Sequence, residues 1–108
     1  MIVTSKSRKL ISTDISIALP ENSYGQIAAR SGLSMKGIDI GAGVIDRDYL
    51  GVIKVLIINN SDENFNIKTG MRIAQLLCLP IIFPNTVVIT ELCRSSTRGC
   101  NGFGSTGV

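Results

Sequence analysis

The sequence predicts an all-β domain, and three of its properties point to that class. Short apolar segments with a period of two recur along the chain, and turn-forming residues separate them every few positions. No stretch carries ten residues of helical periodicity. The chain is 44% hydrophobic but only 5% aromatic, so its core must come from Ile, Leu and Val, which favour strands. These properties favour a β-sandwich or β-barrel in one domain, residues 1–108.

The first predicted strand covers residues 11–19. Within it Ile11, Ile15 and Ile17 alternate with small or polar residues, which is the pattern of a strand with one buried face. Residues 20–23 read Pro-Glu-Asn-Ser and are predicted to turn the chain.

The longest predicted strand covers residues 51–59. Its residues are apolar at odd and even positions alike, so we expect it to be covered on both faces. A polar turn at 60–63 follows it. Shorter strands are predicted at 64–68, 73–79 and 87–92.

Composition and charge exclude several classes of function. The net charge is only +3 and the cations are spread along the chain, so neither nucleic-acid binding nor a membrane partner is expected. Histidine is absent, which removes Ser-His, Cys-His and His-metal mechanisms. Three cysteines without a CxxC pair predict a reducing intracellular compartment, cytoplasmic or nuclear. No segment reads as a signal peptide or a membrane span.

Residues 29–33, Ala-Arg-Ser-Gly-Leu, place a cation and a hydroxyl beside a glycine, directly after a strand. Gly32 allows main-chain N–H groups to converge on an anion, and Arg30 and Ser31 add side-chain donors. Such a turn can bind phosphate. Taken alone, the segment is equally read as a solvated turn, which is the commoner case.

Residues 37–51 contain a glycine-rich turn at 41–43, Gly-Ala-Gly. Its open backbone would allow a flat ligand to lie against main-chain groups. A plain hairpin is the simpler interpretation of this segment. However, the turn is accompanied by three carboxylates, and in a chain without histidine these are the best candidates for a general base: Asp39, Asp46 and Asp48.

The end of the chain, residues 98–107, combines glycines with donors and one aromatic ring. Gly-Ser-Thr-Gly with Arg98 nearby can wrap a phosphate, and Phe103 between two glycines can stack on a base. The segment lacks the lysine and the spacing of a P-loop. A disordered glycine-rich end is the alternative reading.

These three segments, together with residues 70–76 (Gly-Met-Arg-Ile-Ala-Gln-Leu), closely resemble four of the five motifs of the trimeric dUTPases. The resemblance runs from about Ile11 to Gly107. The family's first motif, an Ala-Gly-x-Asp-Leu segment, has no counterpart in this sequence. The resemblance implies a jelly-roll-like β-barrel subunit of a homotrimer. It also implies a flexible glycine-rich C-terminal arm at 94–108 that closes as a lid, with 1–10 as an N-terminal segment.

The resemblance further implies hydrolysis of dUTP to dUMP and pyrophosphate, which limits uracil in DNA. Asp46 would activate the water that attacks the α-phosphorus, and Mg²⁺, held mainly by the substrate triphosphate, would neutralise the developing charge. The alternative is a catalytically weakened or inactive dUTPase-like trimer that acts as a nucleotide-binding or protein-interaction module. The missing first motif favours that alternative, whereas the retained Asp46 and tail favour an enzyme.

Substrate contacts are implied in three groups, contributed by different subunits. Main-chain groups before Asp46 would read uracil and an aromatic ring would pack on the deoxyribose: Gly43, Val44, Ile45 and Tyr49. A second group would hold phosphate oxygens: Arg30, Ser31, Gly32 and Gln75. A third would close over the γ-phosphate and stack on uracil: Arg98, Gly104, Ser105, Thr106 and Phe103.

Overall fold

The computed structural model describes residues 1–85. This part of the chain forms eight strands and one short helix, α1 (Ser31–Met35). The strands are β1 (Ile2–Val3), β2 (Ser7–Ser12), β3 (Ser23–Ala28), β4 (Ile38–Gly41), β5 (Val44–Ile45), β6 (Lys54–Asn59), β7 (Phe65–Asn66) and β8 (Gln75–Pro80). The all-β prediction is therefore confirmed. The strand predicted at 87–92 and the arm at 94–108 lie outside the described residues.

The strands form two three-stranded antiparallel sheets and one two-stranded sheet. In the first sheet β6 is central, with β2 on one side and β4 on the other. In the second sheet β3 is central, between β5 and β8. The short strands β1 and β7 pair with each other. Every described pair is antiparallel, so the sheets are built by long-range pairing rather than by crossover helices.

The core lies between the two larger sheets and consists of aliphatic side chains alone, as the low aromatic content predicts. Each fully buried side chain of this kind stabilises the fold by about 1.5–3 kcal/mol. The buried residues are Val3, Ile11, Ile27, Ile38, Ile45, Ile53, Val55 and Ile57.

The first predicted strand, 11–19, is wrong in its bounds. Strand β2 ends at Ser12 because the chain bends at Asp14, whose φ is +59°. Beyond the bend, Ile15 exposes its side chain, and its carbonyl oxygen accepts a bond from the N–H of Ile53 at 2.8 Å. The alternating residues beyond it still pack on the core, but from an irregular segment: Ile17 and Leu19.

The longest strand, β6, starts three residues later than predicted and is fully covered on one face only. Val55, Ile57 and Asn59 are buried, whereas Leu56 and Ile58 on the other face are half-buried. The period of two in its burial follows from the pleat of a strand. The apolar residues on the second face are the reason why the sequence pattern predicted two covered faces.

Helix α1 was not predicted. It is five residues long and buries none of them, so it has no apolar stripe from which a period of 3.6 could be detected. No helix in residues 1–85 is long and apolar enough to cross a membrane.

Candidate active site

A polar cavity of about 420 Å³ opens where β3 gives way to α1. Its lining brings together four residues that the sequence assigned to phosphate, and two that it did not. The predicted residues are Arg30, Ser31, Gly32 and Gln75, and the additional ones are Leu33 and Lys36. Lys36 carried no sequence signal of its own, because it lies outside the Arg-Ser-Gly-Leu segment.

Gln75 reaches this cavity because of the register between two strands. The pairing of β3 with β8 sets Ala28 opposite Gln75. The side-chain Nε2 of Gln75 then donates a hydrogen bond to the carbonyl oxygen of Ala29 at 2.8 Å. Two segments 46 residues apart in sequence are joined at this point.

The main chain around α1 adds donors to the cavity. Arg30 precedes the helix in an extended conformation, and its carbonyl oxygen accepts the first helical bond, from the N–H of Ser34 at 2.9 Å. The first three N–H groups of the helix therefore have no partner within it. The two charged residues that line the cavity are both cations, Arg30 and Lys36. This set of groups suits an anion with several acceptor oxygens.

The glycine-rich turn connects the two sheets rather than closing a hairpin. Strand β4 pairs with β6 and β5 pairs with β3, so the hairpin interpretation is wrong. Ala42 and Gly43 both have positive φ, +53° and +99°. A Cβ on Gly43 would stand 2.5 Å from the carbonyl oxygen of Ile27, so a side chain cannot fit there. The N–H of Ile27 in turn donates to the carbonyl oxygen of Gly43 at 2.8 Å.

Asp46 and Tyr49 follow β5 in an exposed turn. The N–H of Tyr49 donates to the carbonyl oxygen of Asp46 at 3.0 Å, which closes the turn. The Tyr49 hydroxyl donates to the carbonyl oxygen of Val52 at 2.7 Å. Its ring lies against Gly51, where a Cβ would come within 2.8 Å of the ring carbon Cζ. The orientation of Tyr49 is therefore held by the main chain after it.

Within one chain the structure does not bring the turn and the phosphate cavity together. None of the residues 43–49 lines that cavity. The third predicted group lies outside the described residues: Arg98, Phe103, Gly104, Ser105 and Thr106. A single described chain thus holds two separate parts of the candidate site.

A second, larger cleft of about 650 Å³ adjoins the phosphate cavity. The two share Gln75, and the cleft extends from there to the bend at Asp14. Its walls are mainly apolar and include Ile27 and Val55 of the core. The core is therefore reachable from solvent on the side of β2 and β8.

Comparison by sequence gives a consistent result. The protein-family model described as dUTPase matches residues 1–107. The deoxyuridine 5'-triphosphate nucleotidohydrolase of cowpox virus (strain GRI-90 / Grishak) is 55% identical over 101 residues, which cover 94% of this chain and 68% of that one. The probable deoxyuridine 5'-triphosphate nucleotidohydrolase of Schizosaccharomyces pombe is 52% identical over 108 residues, covering 99% and 76%.

Comparison by structure agrees. The dUTPase of Staphylococcus bacteriophage 80alpha with dUpNHpp superposes with a TM-score of 0.77 at 29% identity, covering 100% of this chain and 80% of that one. A dUTPase of phage phi11 of S. aureus, whose structure concerns the coordination of a structural Mg(II) ion, has a TM-score of 0.77 at 25% identity, covering 86% and 78%. Because the family model spans almost every residue and relatives with more than half of their residues identical cover most of the chain, this chain belongs to the dUTPase family.

Proposed function

We propose that this chain hydrolyses dUTP to dUMP and pyrophosphate as a homotrimer. The observation that supports this most directly is the cavity at the start of α1. There Arg30, Ser31 and Gln75 converge without a carboxylate, in a chain that the dUTPase family model matches from residue 1 to 107. The cowpox and fission-yeast relatives carry the name of this activity.

Asp46 is the proposed general base. Its exposed carboxylate accepts a proton from a water molecule whose oxygen attacks the α-phosphorus. The bond between that phosphorus and the oxygen bridging to the β-phosphate breaks, and pyrophosphate leaves with the bonding electron pair. The products are dUMP and pyrophosphate, and the proton is returned to solvent from Asp46.

The turn before Asp46 is the proposed reader of uracil. The carbonyl oxygen of Gly43 is already occupied by the N–H of Ile27, so the remaining main-chain groups of Gly43, Val44 and Ile45 face the base. The bond between Gly43 and Ile27 holds this backbone still, which favours discrimination between bases. Tyr49, fixed through its hydroxyl, packs on the deoxyribose.

The trimer follows from the separation of the two parts of the site. Because Asp46 does not line the phosphate cavity of its own chain, it acts on a nucleotide whose phosphates lie on a neighbouring subunit. An apolar surface is present for such an assembly on the outer face of the β2-β6-β4 sheet. There Leu10 is 57% exposed and pairs with Leu56, beside half-buried Ile58. Burial of this face between copies would stabilise the assembly.

Magnesium is proposed to arrive with the substrate. Residues 1–85 contain no group of three His, Cys, Asp or Glu side chains that could hold a metal. The donor set of the phosphate cavity suits an anion and not a cation. The ion would therefore be held by oxygens of the triphosphate, which are its preferred ligands. The reducing intracellular compartment indicated by the cysteines stays part of the same proposal.

Two experiments test the proposal. The first measures pyrophosphate release from dUTP, dTTP, dCTP and UTP with magnesium, and we expect turnover with dUTP alone. The second co-expresses two inactive variants, Asp46→Asn and Arg30→Ala. If each site draws these residues from different chains, mixed trimers contain some intact sites and activity reappears. Absence of recovery in verified mixed trimers would show that the site is built within one chain. Binding of dUpNHpp without turnover of dUTP by the parent would instead support the nucleotide-binding module.

A further inference from the structure

We propose that Lys36 is a further substrate-binding residue, which contacts the polyphosphate of the nucleotide in the cavity at the start of α1. The inference rests on the proposed function, since it names a ligand contact in the same cavity. Neither the motifs nor the family resemblance assigned a role to this residue.

The charge of the cavity supports this role. Lys36 and Arg30 are its two charged lining residues. Within residues 1–85, neither is paired with a carboxylate, since the ion pairs there are Lys6–Asp62 and Arg47–Glu21. Two like charges that face one cavity repel each other until an anion lies between them. The cavity is therefore more complementary to phosphate than Arg30, Ser31 and Gln75 alone would make it.

The backbone of Lys36 is held in place, so its position at the cavity is a feature of the fold. Its N–H donates to the carbonyl oxygen of Leu33 at 2.9 Å. Gly37, which follows, has a φ of +86°, and a Cβ there would stand 3.1 Å from Ser61. The carbonyl oxygen of Gly37 accepts a bond from the N–H of Asn60 at 2.8 Å. Only the aliphatic stem of Lys36 is left free to move.

The spacing of the two cations favours a ligand with several phosphates. Arg30 precedes α1 and Lys36 follows it, and six residues of helix rise by about 9 Å. An elongated anion such as a triphosphate or a pyrophosphate can interact with both ends of the helix. A monophosphate has fewer charges and a shorter reach, so it gains less from the second cation.

Lys36 is assigned to binding rather than to chemistry. Its ammonium acts as a point charge with three rotatable donors, and its role does not need the planar fork of arginine. Removal of the charge should raise KM and leave kcat within twofold of the parent. An arginine at this position should restore binding, because the charge and a comparable reach are retained.

The experiment measures the dissociation constants of dUpNHpp and dUMP by calorimetry for the parent and three variants. Lys36→Gln is expected to weaken dUpNHpp binding about five- to tenfold and dUMP binding less than twofold, which corresponds to the loss of one exposed charge-assisted contact. Lys36→Arg is expected to bind dUpNHpp within twofold of the parent. The control is Lys9→Gln, which makes the same change in net charge at an exposed residue that lines neither cavity.

Two outcomes would overturn the inference: unchanged dUpNHpp binding by Lys36→Gln, or an equal loss in Lys9→Gln, which would indicate long-range charge alone. The proposed function fails separately, if the parent binds dUpNHpp and releases no pyrophosphate from dUTP. Because calorimetry needs no turnover, the Lys36 result is informative in either case.

Discussion

The side-chain Nε2 of Gln75 donates a hydrogen bond to the carbonyl oxygen of Ala29 at 2.8 Å, and this bond joins the start of β8 to the chain just before α1. Both the phosphate cavity and the larger apolar cleft have Gln75 in their walls. The residue therefore positions the segment that presents Arg30 and Ser31. Its neutral amide is also compatible with an anionic ligand.

Replacement of Gln75 by glutamate should test that role. The carboxylate of Gln75→Glu cannot donate to Ala29 and brings a negative charge to the cavity, so we expect dUpNHpp binding to weaken more than tenfold. Gln75→Met, of similar size but uncharged, should weaken it less. Calorimetric dissociation constants provide the measurement. Equal binding by the glutamate variant and the parent would show that phosphate does not approach this residue.

Replacement of Asp46 by asparagine should remove turnover and retain binding. Asn keeps the size of the side chain but cannot accept a proton at neutral pH, so kcat should fall by about 10²–10⁴. Initial rates of pyrophosphate release and the dissociation constant of dUpNHpp separate the two effects. The matched control is Asp48→Asn, a neighbouring exposed carboxylate on the same turn. If Asp48→Asn loses turnover and Asp46→Asn does not, the base has been assigned to the wrong carboxylate.

Gly43→Ala should unfold more easily than Gly70→Ala. Both glycines have positive φ, so each alanine adds about 1–2 kcal/mol of backbone strain. Only at Gly43 would the new Cβ also clash, at 2.5 Å from the carbonyl oxygen of Ile27, whereas the space around Gly70 is open. We expect Gly43→Ala to lower the free energy of unfolding by about 3 kcal/mol or more. Urea denaturation measures both, and similar midpoints would contradict the close approach at Gly43.

Asn59→Ala should be strongly destabilising, because Asn59 is a buried polar residue with 0% exposure. Its Nδ2 donates to the carbonyl oxygens of Val3 and Glu63 at 3.0 and 2.8 Å. Its Oδ1 accepts bonds from the N–H and the hydroxyl of Ser61 at 2.9 and 2.6 Å. Loss of all four should lower the free energy of unfolding by about 2–4 kcal/mol.

The control for this prediction is Asn64→Ala. Asn64 makes one exposed bond, from the N–H of Ser5 at 3.0 Å, so its loss should have an effect below about 1 kcal/mol. Thermal or urea unfolding gives both values. A change of equal size in the two variants would mean that the network around Asn59 adds nothing to the fold. Because Ser61 packs on Gly37, Asn59→Ala should also disturb the backbone that carries Lys36.

Much of the candidate site could be predicted from local sequence. Arg30, Ser31 and Gly32 are consecutive, so one segment is sufficient to place them together. Helix α1 could not be predicted, because five residues without a buried face show no helical period. The bend after β2 was missed because a positive φ at Asp14 leaves no mark on the alternation of apolar residues.

The sequence by itself determined the class of the fold, the aliphatic nature of its core and the residue types that suit a phosphate. These depend on hydrophobic periodicity and side-chain chemistry, which are local properties. Only the tertiary structure decided that β4 and β5 belong to different sheets. It also placed Gln75 beside Ala29 and Lys36 beside Arg30, and kept Asp46 away from the phosphate cavity of its own chain. Periodicity specifies which face of a strand is buried, but its hydrogen-bonding partner is distant in sequence and is selected only when the whole core packs.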